Sequence, residues 1–219
     1  MMPNAIFSIF KPKGVSSFKV LSEVKKYFGT RKVGHMGTLD PLAEGILPVA
    51  VGKYTKLIPL INLSPKTYFV KIFFGISSET LDAEDVDLDN LPECELNFGL
   101  LEVKKILDGM LGEFMQMPPL YSAIKVDGKR LYEYARSNQA EALEIKSRKV
   151  ELYSYSDLEI SEQIVSFRVS CGNGFYVRSL VRDISEVLDF PAFMYDLKRE
   201  TVGPFNLDNV CLDTNFVSM

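Results

Sequence analysis

An α+β domain is the fold class that the sequence predicts. Three observations carry it. Short β-branched and aromatic runs interleave irregularly with stretches of helical spacing, unlike a regular βαβ array. A chain of 219 residues, 47% hydrophobic and 25% charged, suits one sizeable domain with a buried core. No internal repeat and no linker-like stretch divides it.

The elements follow in order. Residues 5–10 read as an apolar strand, ended by the turn signal Lys11-Pro12-Lys13-Gly14. Ser16 or Ser17 caps a helix in which Val20, Leu21, Val24 and Phe28 keep helical spacing, and Gly29 stops it. Residues 31–45 read as a loop and 46–51 as a buried strand. Residues 67–74 are aromatic and β-branched, as a strand requires. The acidic run 82–89 reads as a loop, and Asn97 caps a helix running to Leu111. Residues 121–126 and the Asp127-Gly128 turn form a hairpin arm, followed by a short helix over 131–136. Strands over 150–155 and 164–171 precede the Gly172-Asn173-Gly174 turn and a helix over 177–188.

Several chemistries are excluded early. His35 is the only histidine, so a paired-histidine metal motif is impossible. Cys94, Cys171 and Cys211 form no C-x-x-C pair and no disulfide framework, which fits a reducing cytoplasm and argues against structural zinc. No apolar run approaches the ~20 residues of a membrane span. The N-terminus lacks the basic region and cleavage pattern of a secretion signal.

A net charge of −4 argues against a polyanionic partner. Its distribution argues the other way. Residues 1–80 carry 11 basic and 4 acidic residues, and residues 120–150 carry 7 and 4. Residues 81–119 carry 2 and 10, and residues 151–219 carry 5 and 11. Charge asymmetry of this kind is a hint about partners; solvated surfaces of mixed sign are the commoner origin of such blocks.

The segment Gly34-His35-Met36-Gly37-Thr38-Leu39-Asp40-Pro41-Leu42-Ala43-Glu44-Gly45 concentrates glycines, a proline, the only histidine and a carboxylate. Glycines let a backbone approach a ligand closely, and long loops of this kind carry sites. Taken alone, Asp40 is as well read as a turn residue satisfying local amides, and His35 as a loop histidine bonded to backbone.

This segment resembles the signature loop of the TruB family of RNA pseudouridine synthases. So do Lys11-Pro12-Lys13-Gly14-Val15-Ser16-Ser17, Lys66-Thr67-Tyr68, and the run from Pro118 to Lys125. The series continues through Leu131-Tyr132-Glu133-Tyr134-Ala135-Arg136, Gly174-Phe175-Tyr176-Val177-Arg178-Ser179-Leu180 and Tyr195-Asp196-Leu197-Lys198-Arg199. The motifs stand in family order over nearly the whole chain. The resemblance implies a pseudouridine-synthase fold: a mixed, mainly antiparallel central sheet flanked by helices and loops, with an RNA-binding cleft. It implies a single catalytic domain over 1–219, with an RNA-clamping insertion at 120–140 and no room for the family's C-terminal PUA domain.

It also implies a function: isomerisation of uridine 55 in the T loop of tRNA, by a monomer that needs neither metal nor other cofactor and binds no membrane. A tRNA-folding module with the chemistry secondary is the alternative, and a guide-dependent relative a weaker one. Asp40 maps onto the family nucleophile, Arg178 onto its charge partner and Tyr68 onto the residue stacking on the base. His35 would help hold the flipped uridine, and Tyr176, Leu197 and Ile46 would line the pocket. Lys11 and Pro12 would contact substrate, with Lys11, Lys13, Lys19, Arg31 and Lys32 near phosphates, and Lys125, Lys129 and Arg130 would form a second clamp. Met36 departs from the Thr common in bacterial members, and Cys171-Gly172-Asn173 from their Ser-Lys stretch.

Overall fold

The computed structural model describes residues 4–137, 139 and 143–212. The expected insertion at 120–140 lies within them, except for positions 138 and 140, which are outside the described residues. The strands are β1 (Ala5–Lys11), β2 (Val33–His35), β3 (Glu44–Val51), β4 (Lys66–Phe74), β5 (Gly112–Gln116), β6 (Lys125–Val126), β7 (Lys129–Arg130), β8 (Arg148–Ser161), β9 (Ile164–Cys171), β10 (Ala192–Val202), β11 (Phe205–Asn206) and β12 (Val210–Leu212). The helices are α1 (Ser17–Tyr27), α2 (Leu100–Gly109), α3 (Leu131–Arg136) and α4 (Val177–Leu188). Most strand pairs are antiparallel, with parallel pairs β1–β12 and β3–β10, so the α+β expectation holds. The chain forms two compact units: Met1–Phe69 with Leu197–Met219, and Val70–Asp196. Strands β4 and β10 contribute residues to both.

In the first unit β3 is central. One edge pairs with β1 along its whole length, from Ala5↔Val51 to Lys11↔Gly45. The other edge is shared: β2 takes Val49–Val51 and β10 takes Glu44 and Gly45. The strand alternation sorts two cores. Leu47, Val49 and Val51 join Phe7 and Ile9 of β1 under Val20, Leu21 and Val24 of α1. Ile46 turns the other way, to Met36, Leu63 and Val202. Ser16 caps α1 by accepting from the Lys19 N–H at 3.2 Å, which settles the choice between the two serines.

In the second unit the sheet runs β4-β9-β8-β5. Val165, Phe167, Val169 and Cys171 of β9 are buried at alternate positions, as a half-buried strand requires. Helix α2 starts later than expected, at Leu100, because the Glu102 carboxylate accepts the Gly99 N–H at 3.0 Å and closes the helix end there. A 3-10 helix (Gly52–Leu60) and the strands β2, β5 and β10 had no counterpart in the sequence reading. The acidic loop at 82–89 contains short 3-10 turns at Ala83–Asp85 and Leu88–Asn90.

Gly45 is the tightest point of the first unit. Its φ is +116°, and a Cβ there would overlap the Arg199 carbonyl on the paired strand. Gly45→Ala should therefore cost roughly 3 kcal/mol or more of stability. Urea unfolding of the variant checks this; a loss below about 1 kcal/mol would contradict the packing.

Candidate active site

Asp40 sits half-buried on the segment that joins β2 to β3. The backbone on either side of it is held by polar groups from distant parts of the first unit. The Ser17 hydroxyl donates to the Leu39 carbonyl at 2.8 Å and accepts the Leu39 N–H at 3.0 Å. The Pro41 carbonyl accepts the Gly14 N–H at 2.8 Å and the Lys11 ammonium at 3.2 Å. Further out, the Arg199 guanidinium donates to the carbonyls of Gly37 at 3.0 Å, Thr38 at 3.3 Å and Ile46 at 2.8 Å. A loop rich in glycine has many conformations to lose; these bonds select one.

Lys11 differs from its expected role. It is fully buried, and its ammonium donates to the carbonyls of Pro12 at 3.0 Å and Val15 at 2.6 Å as well as Pro41. An ammonium that spends three donors on backbone carbonyls inside the protein is not a phosphate contact. Burial pulls its pKa down to about 8; the charge of Asp40 opposes this, Arg199 adds to it and Glu44 opposes it. Arg199, also nearly fully buried, belongs to the motif the sequence singled out, yet its grip on the loop was not read from it. His35 ends β2, half-buried. Burial, and then the Arg199 charge, lower its pKa, which keeps the imidazole neutral at pH 7. Its Nδ1 is buried and has no hydrogen-bond partner among the described residues. Pro12 is half-buried, Tyr68 is buried on β4, Leu197 is buried on β10 and Ile46 lies in the core.

In the second unit, Arg178 opens α4 and is 6% exposed. Its guanidinium donates to the Thr80 carbonyl at 2.9 Å and the Tyr121 carbonyl at 2.8 Å, and its Nε lies 3.8 Å from the Asp82 carboxylate. Residues 78–85 are braced from within. The Asp85 carboxylate accepts from the hydroxyls of Ser78 at 2.5 Å and Thr80 at 2.7 Å and from the Glu79 N–H at 2.8 Å. Burial raises the Asp85 pKa, but these hydrogen bonds outweigh it and hold the carboxyl below its ordinary value. Buried Gln116 of β5 pairs with Tyr176 like a strand neighbour, accepting its N–H at 2.9 Å and donating to its carbonyl at 3.1 Å. Gln116 carried no motif and was missed.

Strands β6 and β7 form the expected hairpin, with Lys125 paired to Arg130. Lys125 and Arg130 are exposed. Lys129 is engaged differently from a solvent-facing clamp: its ammonium lies 4.5 Å from the Tyr134 ring centre and donates to Ser137 and Gln139. Among the described residues no cluster of His, Cys, Asp or Glu is arranged to hold a metal, and no helix is long and apolar enough to cross a membrane.

The Lys11 site has a pH signature. Its folded pKa lies below the unfolded value, so the native state releases the proton first. Between about 8 and 10.5 the unfolded chain therefore binds more protons, and stability rises with pH in that window. Relative to Lys11→Met, the wild type should gain on the order of 3 kcal/mol across it. Urea midpoints of both proteins from pH 7 to pH 10.5 test this; parallel curves would contradict it.

Comparison with known proteins completes the picture. The model of the TruB family pseudouridylate synthase (N terminal domain) matches residues 25–177. The tRNA pseudouridine synthase B of Clostridium novyi is 41% identical over 206 residues, which cover 94% of this chain and 70% of that protein. The tRNA pseudouridine synthase B of Clostridioides difficile is 40% identical over 94% of this chain and 68% of its own length. A chain of a solved Cbf5-Nop10-Gar1 complex matches with a TM-score of 0.68 at 29% identity, over 96% of this chain and 52% of that one. A chain of an H/ACA RNP bound to a substrate RNA containing 2′-deoxyuridine matches with a TM-score of 0.64 at 26% identity, over 94% and 50%. The chain spans about half the length of these solved chains. The family match covers most of the chain, and the loop that carries Asp40 lies inside it: this chain belongs to the TruB family of pseudouridylate synthases.

Proposed function

We propose that this protein is a tRNA pseudouridine synthase that isomerises uridine 55 of the T loop, acting as a cytoplasmic monomer on the T arm. The substrate reading is supported by the likeness to enzymes named tRNA pseudouridine synthase B over 94% of the chain. The chemical reading is carried by one observation: Asp40 lies between two residues, Leu39 and Pro41, whose backbones are each held at two points. A carboxylate held this way is preorganised to attack.

The reaction breaks the C1′–N1 bond, turns the base and joins C1′ to C5. N1 gains a proton and C5 loses one, so the atoms balance without a redox partner. The uridine leaves its stack to be reached. Asp40 is the nucleophile, forming a transient covalent bond to the nucleotide. The family resemblance assigns Arg178 to the chemistry, where a guanidinium favours an ionised carboxylate. Tyr68 stacks on the base, and neutral His35 supports the flipped arrangement without transferring a proton. The family resemblance assigns Tyr176 and Leu197 to binding of the base. Lys125 and Arg130, both exposed, contact phosphates and set affinity and register.

Asp40→Asn should abolish tritium release from a tRNA transcript carrying 5-tritiated uridine, while filter binding of the transcript stays close to wild type. Release at the wild-type rate would overturn the assignment. Arg178→Ala should lower turnover more than tenfold, a loss above about 1.4 kcal/mol of transition-state stabilisation. An unchanged kcat would remove Arg178 from the chemistry. Both assays use naked transcript and no other protein, so a need for a guide RNA would show as inactivity of the wild type.

A further inference from the structure

Tyr121 stands where the hairpin of β6 and β7 leaves the rest of the second unit. Its two ends face one braced segment. Its carbonyl accepts the Arg178 guanidinium at 2.8 Å, and that guanidinium also holds the Thr80 carbonyl. Its phenol donates to the Glu79 carboxylate at 3.1 Å. Glu79 and Thr80 are adjacent and both are bonded to the Asp85 carboxylate. The hairpin root is thus fastened at two points: directly to Glu79 through its phenol, and through the Arg178 guanidinium to Thr80. The next residue offers no such bond: the Ser122 hydroxyl is buried without a partner among the described residues. Beyond the root, the hairpin returns through the Leu131 N–H to the Ile124 carbonyl and the Tyr132 N–H to the Ser122 carbonyl, so its stem inherits the alignment of Tyr121. Burial and the neighbouring Glu79 carboxylate raise the Tyr121 pKa, so the phenol keeps its donor proton at neutral pH; the Asp85 charge adds to this and the Arg136 charge opposes it.

We propose that Tyr121 is a positioning residue, whose phenol bond to Glu79 docks the basic hairpin onto the segment that holds Arg178 and so presets the hairpin for RNA. The idea rests on the tRNA reading above only for its RNA readout. Removing the phenol leaves the Tyr121 carbonyl, and hence the Arg178 bond, in place. The effect therefore falls on substrate capture rather than on the chemical step.

The test uses the full chain as wild type, Tyr121→Phe, Glu79→Ala, Glu79→Gln and the double variant Tyr121→Phe/Glu79→Ala. On a T-arm stem-loop, Tyr121→Phe and Glu79→Ala should each raise KM about three- to tenfold with kcat held within about twofold. Glu79→Gln, whose amide oxygen still accepts, should stay near wild type. The double variant should be no worse than either single one. Amide exchange at Leu131 and Tyr132 in the free protein should accelerate in Tyr121→Phe and Glu79→Ala, but not in Glu79→Gln. An unchanged KM, additive single effects, or a defect in Tyr121→Phe with a normal Glu79→Ala would overturn the proposal, the last by marking a direct RNA contact. Should the wild type fail to turn over the stem-loop, the tRNA reading fails, and the exchange data still decide: unchanged exchange overturns the docking.

Discussion

Two buried cations hold the loop that carries Asp40. Lys11 and Arg199 leave water and direct their donors at main-chain carbonyls on both sides of that residue. A buried charge without hydrogen bonds is costly, and a glycine loop without anchors is disordered. Each solves the other's problem: the carbonyls solvate the cations, and the cations give the carbonyls partners that no helix or sheet supplies. The alignment of β1 with β3 and the pairing of β10 with Gly45 bring Lys11 and Arg199 to this point.

The second unit handles its arginine differently. Arg178 is balanced by two carbonyls and by Asp82, on a segment stiffened by Ser78, Thr80 and Asp85. There the carboxylates take up the hydroxyls and amides of their own segment, so the acidic run at 82–89 is partly a scaffold. In the sequence it looked like the acidic back of the protein. Charge blocks report composition, and only the fold says which charges face solvent.

Much of this architecture was legible in the chain. The helix with Val20, Leu21 and Val24, the hairpin at Asp127-Gly128 and the helix opening at Val177 all carry local signals that tertiary packing reinforces. The role of Lys11 was not legible. A lysine beside a proline-glycine turn looks solvated unless the three carbonyls that meet it are known, and those come from residues 12, 15 and 41. Strand β10 hid because acidic and basic residues occupy its middle, although its apolar residues Phe193, Leu197 and Val202 are buried. Gln116 hid because its work is done on the backbone of Tyr176, sixty positions away, and no side-chain pattern records a main-chain partner.

The grip of Arg199 on Ile46 spans 153 positions. On the ribosome, the loop around Asp40 emerges well before Arg199, its clasp. The nascent first unit therefore carries the loop without its clasp until the second unit, which is continuous in sequence, has been made. Closing so long a separation is slow compared with forming local elements. Until Arg199 has been made, the loop around Asp40 has the anchors that precede it, Lys11, Gly14 and Ser17, and lacks the bonds to Gly37, Thr38 and Ile46.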